Sequence, residues 1–203
     1  IVNKDSKVLD VCCGDGLYSF MPLKYGGTVE GIDISEKAIE IGRKRAEILN
    51  YSSRINFHLG DANSISFEND SFDVIMCIGS LSYLDQSNIH LEFYRLLKPN
   101  GYLILLDSLN HNIFYRLNRL IQVLLGKRSF YTYKNMPNVN TIERFGKNFD
   151  NVNTIYFGKF DWLFPMLSLF LNKNICLRLI NKLDSRLFYS KKWAFKFVAI
   201  RKK

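Results

Sequence analysis

The chain has 203 residues, with 28 Lys and Arg against 19 Asp and Glu and a formal charge of +9. That length suits one domain, and 47% hydrophobic residues with four prolines exclude wholesale disorder. Residues 1–107 carry 10 basic and 15 acidic side chains (net −5), whereas residues 108–203 carry 18 and 4 (net +14) and 18 of the 29 aromatics, which excludes a uniformly basic nucleic-acid binder.

Cys12, Cys13, Cys77 and Cys176 form no C-x-x-C pair, so they read as reduced thiols in a reducing, cytoplasmic compartment. The longest uncharged apolar run of the second half, residues 162–172, is shorter than the about 20 residues of a membrane span. No signal peptide is visible. The start at Ile1 predicts a piece of a longer protein.

In chain order, residues 7–12 form an apolar strand that closes on the turn Cys13-Gly14-Asp15-Gly16. Residues 17–25 suit a helix and 28–34 a β-branched strand. Ser35 caps the next helix, with Glu36 in its first turn. Strands follow at 55–59 and 72–78, the second apolar almost throughout, as a strand buried on both faces must be. Residues 88–97 predict a helix, stopped by Lys98-Pro99-Asn100-Gly101, and 102–107 a fifth strand. The alternation predicts a parallel sheet with helices on both faces.

Further on, residues 112–125 have helical spacing (Ile113, Leu117, Leu120, Ile121, Leu124). Residues 126–140 read as a basic, aromatic loop, and Thr141 as the cap of a short helix to Phe149. Residues 152–157 alternate as a strand, and 175–188 carry a helical face (Cys176, Leu179, Ile180, Leu183, Leu187). Residues 193–200 form a closing strand, and Arg201-Lys202-Lys203 a solvated tail. Residues 1–203 thus form a single domain, with a ligand-binding half (1–107), an insertion (108–150) and C-terminal strands with a helix (151–203).

The segment Val8-Leu9-Asp10-Val11-Cys12-Cys13-Gly14-Asp15-Gly16 marks a site, because a strand ending in small residues lets a ligand approach the backbone. Asp33 ends the next strand, where a carboxylate can accept both hydroxyls of a ribose, or serve only as a helix-entry residue. In Gly60-Asp61-Ala62, Asp61 can accept from an exocyclic amine. Asp10 alone could be a turn former. A dinucleotide fingerprint is excluded: its first glycine position is Cys12 and its third is missing. No Gly-Lys-Ser/Thr occurs either, so the phosphate cradle is lacking and an adenosine without phosphate fits better. Cys12 and Cys13 lack ligand-spaced partners and predict no metal site. His58 and Asp73 read as structural, and His90 as exposed.

Four segments carry a resemblance: residues 8–16, Val29-Glu30-Gly31-Ile32-Asp33-Ile34-Ser35, Gly60-Asp61-Ala62 with Phe72-Asp73-Val74-Ile75, and Leu96-Leu97-Lys98-Pro99-Asn100-Gly101-Tyr102. At this spacing the chain resembles the class I S-adenosylmethionine-dependent methyltransferases, in the group that includes the quinone-biosynthesis enzymes. The resemblance is close over residues 4–109. It implies a three-layer Rossmann-like fold with a seven-stranded, mostly parallel sheet and an antiparallel last strand. It also implies S-adenosylmethionine as cofactor, with Asp10, Cys12, Cys13, Gly14 and Gly16 near its methionine part and Asp33 on its ribose. Ile34, Asp61 and Ala62 would then hold the adenine, with Cys77 and Ile78 lining the methionine pocket. The pattern departs at Cys12, in place of the usual first glycine. Ser82-Tyr83 fall where relatives often carry histidines.

A hydroxyl or carbon acceptor would need proton removal, by His111, Tyr83 or solvent. Residues 108–140 are expected to act as a substrate lid. The +14 half suits an anionic or lipid-linked small acceptor with peripheral contact at an anionic membrane, RNA, or no partner at all. An RNA methyltransferase and a non-catalytic cofactor binder are the alternative functions.

Overall fold

The computed structural model describes residues 1–185, 191 and 193–203. The predicted end of the last helix, Leu187 and Phe188, lies outside these. In chain order the elements are β1 (Lys7–Val11), α1 (Phe20–Leu23), β2 (Thr28–Asp33), α2 (Glu36–Ile48), β3 (Ile55–Leu59) and β4 (Phe72–Ile78). A 3-10 turn, Leu81–Tyr83, leads to α3 (Ile89–Leu96), β5 (Leu97–Ser108), α4 (Ile113–Leu124), α5 (Phe130–Lys134), α6 (Val139–Phe145) and β6 (Asp150–Phe157). A second 3-10 turn, Asp161–Leu163, leads to α7 (Phe164–Leu167), α8 (Lys173–Ser185) and β7 (Lys196–Lys202).

The seven strands form one sheet in the order β3-β2-β1-β4-β5-β7-β6. The first five pair in parallel, while β7 runs antiparallel to both β5 and β6. This is the mostly parallel seven-stranded sheet with an antiparallel last strand expected from the sequence. From Val74 on, the period-two alternation of β4 sorts its side chains between two cores, and the register shift between Phe72 and Val74 puts Phe72 on the side of Ile75 and Cys77. Phe72, Ile75 and Cys77 join the core built with α3 and α6, through Phe93, Leu96, Ile142 and Phe145. Val74, Met76 and Ile78 join the core built with α1 and α2, through Phe20, Leu23, Ile39 and Ala46.

Local chemistry explains several departures from the sequence reading. The helix at 17–25 shrinks to α1, the four residues Phe20–Leu23. The Lys98–Gly101 turn lies within the β5 pairing, and its Asn100 takes φ +65°. The loop at 126–140 contains α5, started by Ser129, whose hydroxyl accepts from the Thr132 N–H. Asn138, not Thr141, caps α6, while Thr141 completes the capping box from the third helical position. The terminal Arg201 is no solvated tail: it lies in β7, 4% exposed, held by Asn151 and Thr154. Nor is His90 exposed: it packs on Phe145, and burial, then Arg144 and Lys147, lower its pKa. His58 pairs with Glu30 at 2.6 Å, and Asp73 accepts from the Lys7 N–H and Lys98. Among the described residues no helix is long and apolar enough to cross a membrane.

Candidate functional site

Parallel strands leave their carboxyl ends free, and where the order reverses between β1 and β4 the loops diverge to open a crevice. Here that crevice is a cavity of about 450 Å³, lined by Cys12, Asp33, Ile34, Asp61, Ala62, Asn63, Ser80, Tyr83 and Leu84. Its size falls in the roughly 300–1,000 Å³ range of small-molecule sites.

The loop after β1 turns sharply. Cys12 (φ +56°), Gly14 (φ +56°) and Gly16 (φ +77°) all take left-handed backbone. Glycine does this without strain, whereas Cys12 pays roughly 1–2 kcal/mol. At Gly16 there is also no room: a Cβ would come within 2.5 Å of the Phe57 ring. Arg45 of α2 fixes the outer side of the loop, donating to the Asp15 carbonyl at 2.8 Å and to its carboxylate at 2.9 Å.

Asp33 closes the inner side. Its two oxygens accept the Gly14 N–H at 2.8 Å and the Ser35 N–H at 2.9 Å. A carboxylate offers about four acceptor positions, so two remain for a pair of hydroxyls. The same bonds exclude a phosphate cradle, because the Gly14 amide is taken by a negative group. Asp61 accepts the backbone and side-chain N–H of Asn63 on Oδ1, at 2.8 and 2.9 Å, which leaves Oδ2 for an incoming donor. Ile34, Ala62 and Leu84 give the cavity apolar walls.

Asp10 lies beneath the loop, 2% exposed, and accepts the Ser19 hydroxyl at 2.5 Å. Burial pushes its carboxyl up to about 7, opposed by the Ser19 bond and assisted by the charge of Asp33. Burial, then Asp33, pushes the Cys12 thiol up to about 12, and burial raises Cys13 further. Both thiols therefore stay protonated and are no nucleophiles at neutral pH.

The structure brings Cys12, Asp33, Ile34, Asp61, Ala62 and Tyr83 to one cavity. Asp10, Gly14 and Gly16 do not line it: Gly14 meets it only through its bond to Asp33, Asp10 is held by Ser19, and Gly16 lies against Phe57. Cys13 instead packs against the α1–α2 core. Cys77 is fully buried in the other core. Ile78 is a correction: adjacent strand residues face opposite ways, and its side chain lines a separate apolar groove with Val8, Met76 and Ile104. Only its carbonyl reaches toward the site, accepting the Ser80 hydroxyl at 3.0 Å. His111 is also not at the cavity; it is exposed in the turn after β5.

The sequence reading missed Asn63, Ser80 and Asp107. Ser80 bridges the β1 and β4 ends, also meeting the Cys12 carbonyl at 3.4 Å. Asp107, buried at the end of β5, accepts the Leu81 N–H at 2.8 Å and so holds the turn that carries Tyr83. The available signal was position, since each lies within two residues of a strand end or of Asp61. Gln86 then ties this turn to residues 135–141, donating to the Asn135 carbonyl and accepting from Thr141 at 3.0 Å.

Residues 8–101 match the family described as a methyltransferase domain. A methyltransferase GfsG from Streptomyces halstedii is 35% identical over 108 residues, covering 52% of this chain and 39% of that protein. A demethylmenaquinone methyltransferase from Listeria welshimeri is 32% identical over 143 residues, covering 66% of this chain and 60% of that protein. The chain thus spans between two fifths and three fifths of these relatives' lengths. Among solved structures, the geranyl diphosphate C-methyltransferase from Streptomyces coelicolor has the same fold, with TM-score 0.72 and 17% identity over 99% of this chain and 73% of that one.

Proposed function

We propose that this chain, which over residues 8–101 matches the methyltransferase-domain family, binds S-adenosylmethionine and transfers its methyl group to a small organic or lipid-linked acceptor. The observation that carries the reading is the carboxylate-rimmed, phosphate-excluding cavity. Its donors and acceptors fit the cofactor. Asp33 takes the ribose hydroxyls, Asp61 accepts from the adenine amine, and Ile34 with Leu84 flanks the flat base. Asp10 sets negative charge beneath the cationic methionine end. When bound, the cofactor supplies a methyl group already activated on a sulfonium.

The chain's own task is alignment and exclusion of water. Holding two reactants in line can supply roughly 7–11 kcal/mol of the barrier. Tyr83 lies on the cavity wall and is assigned to orient the acceptor and to relay its proton, accepting it on the phenol oxygen as the phenol's own proton passes to solvent; His111, outside the cavity, is not. The insertion at 108–150, tied to the Tyr83 turn by Gln86, acts as the lid. The names of the relatives, a demethylmenaquinone and a geranyl diphosphate enzyme, support a small organic acceptor. We assign the protein to the cytoplasm, with its +14 half in peripheral contact with an anionic membrane.

Titration calorimetry tests the assignment. Asp33→Ala and Asp61→Ala each remove hydrogen bonds to a charged acceptor, at about 1.5–3 kcal/mol, and are expected to weaken cofactor binding about tenfold to hundredfold. Unchanged affinity in both variants would overturn it. Methyl transfer from labelled cofactor into lipid, small-molecule and RNA fractions of a cell extract then identifies the acceptor class.

A further inference from the structure

A surface helix normally turns its apolar stripe to the core and its charges to water. α4 does the reverse. Ile113, Leu117, Leu120, Ile121 and Leu124, the residues whose spacing predicts the helix, are 63, 57, 36, 45 and 77% exposed. The helix buries Arg119 instead, with its guanidinium over the Phe195 ring at 5.0 Å. The apolar surface continues beyond α4. Phe114 stacks on Trp162 with ring centroids 4.6 Å apart, joining α4 to the turn that enters α7, and α7 packs on α8. Leu169 and Phe170 after α7 are 78 and 84% exposed, and Ile175, Leu179 and Leu183 repeat every four residues along α8, each more than 40% exposed.

Cations flank this surface. Arg116, Lys127, Lys173, Arg178 and Lys182 are exposed, and none forms an ion pair among the described residues. Exposed leucines ringed by unpaired cations match an acyl boundary beneath anionic headgroups, where each cation adds about 1 kcal/mol. A second copy is disfavoured by charge, since two halves of net +14 would face each other.

We propose that α4, residues 166–171 and α8 form one face that seats this protein on an anionic lipid bilayer. The assignment rests on the membrane contact inferred above and locates it.

Flotation of the full chain tests it, with vesicles of phosphatidylcholine containing phosphatidylglycerol and with phosphatidylcholine alone. The chain is expected to float with the anionic vesicles at low salt and to be released by high salt. Leu117→Glu with Leu124→Glu, or Leu169→Glu with Phe170→Glu, should lower the bound fraction at least about tenfold. Ile48→Glu, on α2 and 79% exposed, should not. All these sites are exposed, so unchanged melting temperatures would exclude unfolding as the cause. If the chain floats and both double variants float equally, this face is wrong while the membrane contact survives. If the unaltered chain stays behind, the membrane contact and this face both fall. Sedimentation showing a dimer without vesicles that the α4 variant dissolves would overturn the proposal in favour of self-association.

Discussion

Cys12 occupies left-handed backbone at the cavity wall, a conformation that suits glycine, and it packs its side chain against the core on the α3 side. Cys12→Gly relieves the backbone but loses that packing and loosens the unfolded chain, so its stability should lie within about 1 kcal/mol of the parent. Cys12→Val puts a β-branched side chain at the same φ and should cost about 1–2 kcal/mol by chemical denaturation. Gly16→Ala combines a positive φ with a Cβ 2.5 Å from Phe57. It should be the worse change, destabilising by about 2–4 kcal/mol. A Gly16→Ala protein as stable as the parent would mean that the loop does not turn here as described.

The β1 loop is held between two elements, by Asp33 of β2 inside and Arg45 of α2 outside. The Arg45–Asp15 ion pair is partly exposed, so it adds less than about 1 kcal/mol to stability. Its effect on the loop is larger than its effect on the fold. Arg45→Met should leave the melting temperature within a few degrees and weaken cofactor binding severalfold by calorimetry, because the loop must then be ordered on binding. Equal affinity would show that Asp33 alone fixes the loop. At the other edge, Asp184 of α8 accepts the Gly158 and Lys159 N–H groups and so fastens α8 to the end of β6. The exposed face of α8 therefore lies on a tethered helix.

Across the whole molecule the buried carboxylates set the pH response. Burial raises Asp10, Asp107 and Asp161 above the ordinary 3.8, Asp10 to about 7. A raised carboxyl keeps its proton in the folded state where the unfolded chain has lost it, so its contribution falls as pH rises from about 4 toward 7 and then levels off. Asp15 is the opposite case: Arg45 holds it below 3.8, so its contribution is lost only in stronger acid. Stability should therefore be highest near pH 4–5 and decline to pH 7, with Asp10 contributing up to roughly 4 kcal/mol of that decline. Asp10→Asn should flatten the profile in urea titrations followed across pH. Affinity for the cationic cofactor should rise with pH through about 7 in the parent and stay level in Asp10→Asn, since only the ionised carboxylate attracts the cation.

Much of this was legible from local pattern. Strand ends and glycine turns are set within a few residues, so β1, β2, β3 and β4, and with them Asp33 and Asp61, could be placed from residues 8–16, 29–35 and 55–78. The charge split at residue 107 also needed only the chain, because net charge is a sum over residues. Contacts between distant segments could not be read this way. Ser80 reaches the Cys12 carbonyl across 68 positions, and Asp107 holds the Tyr83 turn from another strand. Ile78 was separated from Cys77 by the pleat of β4, and His111 was left outside by the path of the chain after β5. The spacing in α4 fixed a helix and its apolar stripe. Only the packing of Arg119 against Phe195 decided that the stripe faces outward, since periodicity defines a face and neighbours decide what covers it.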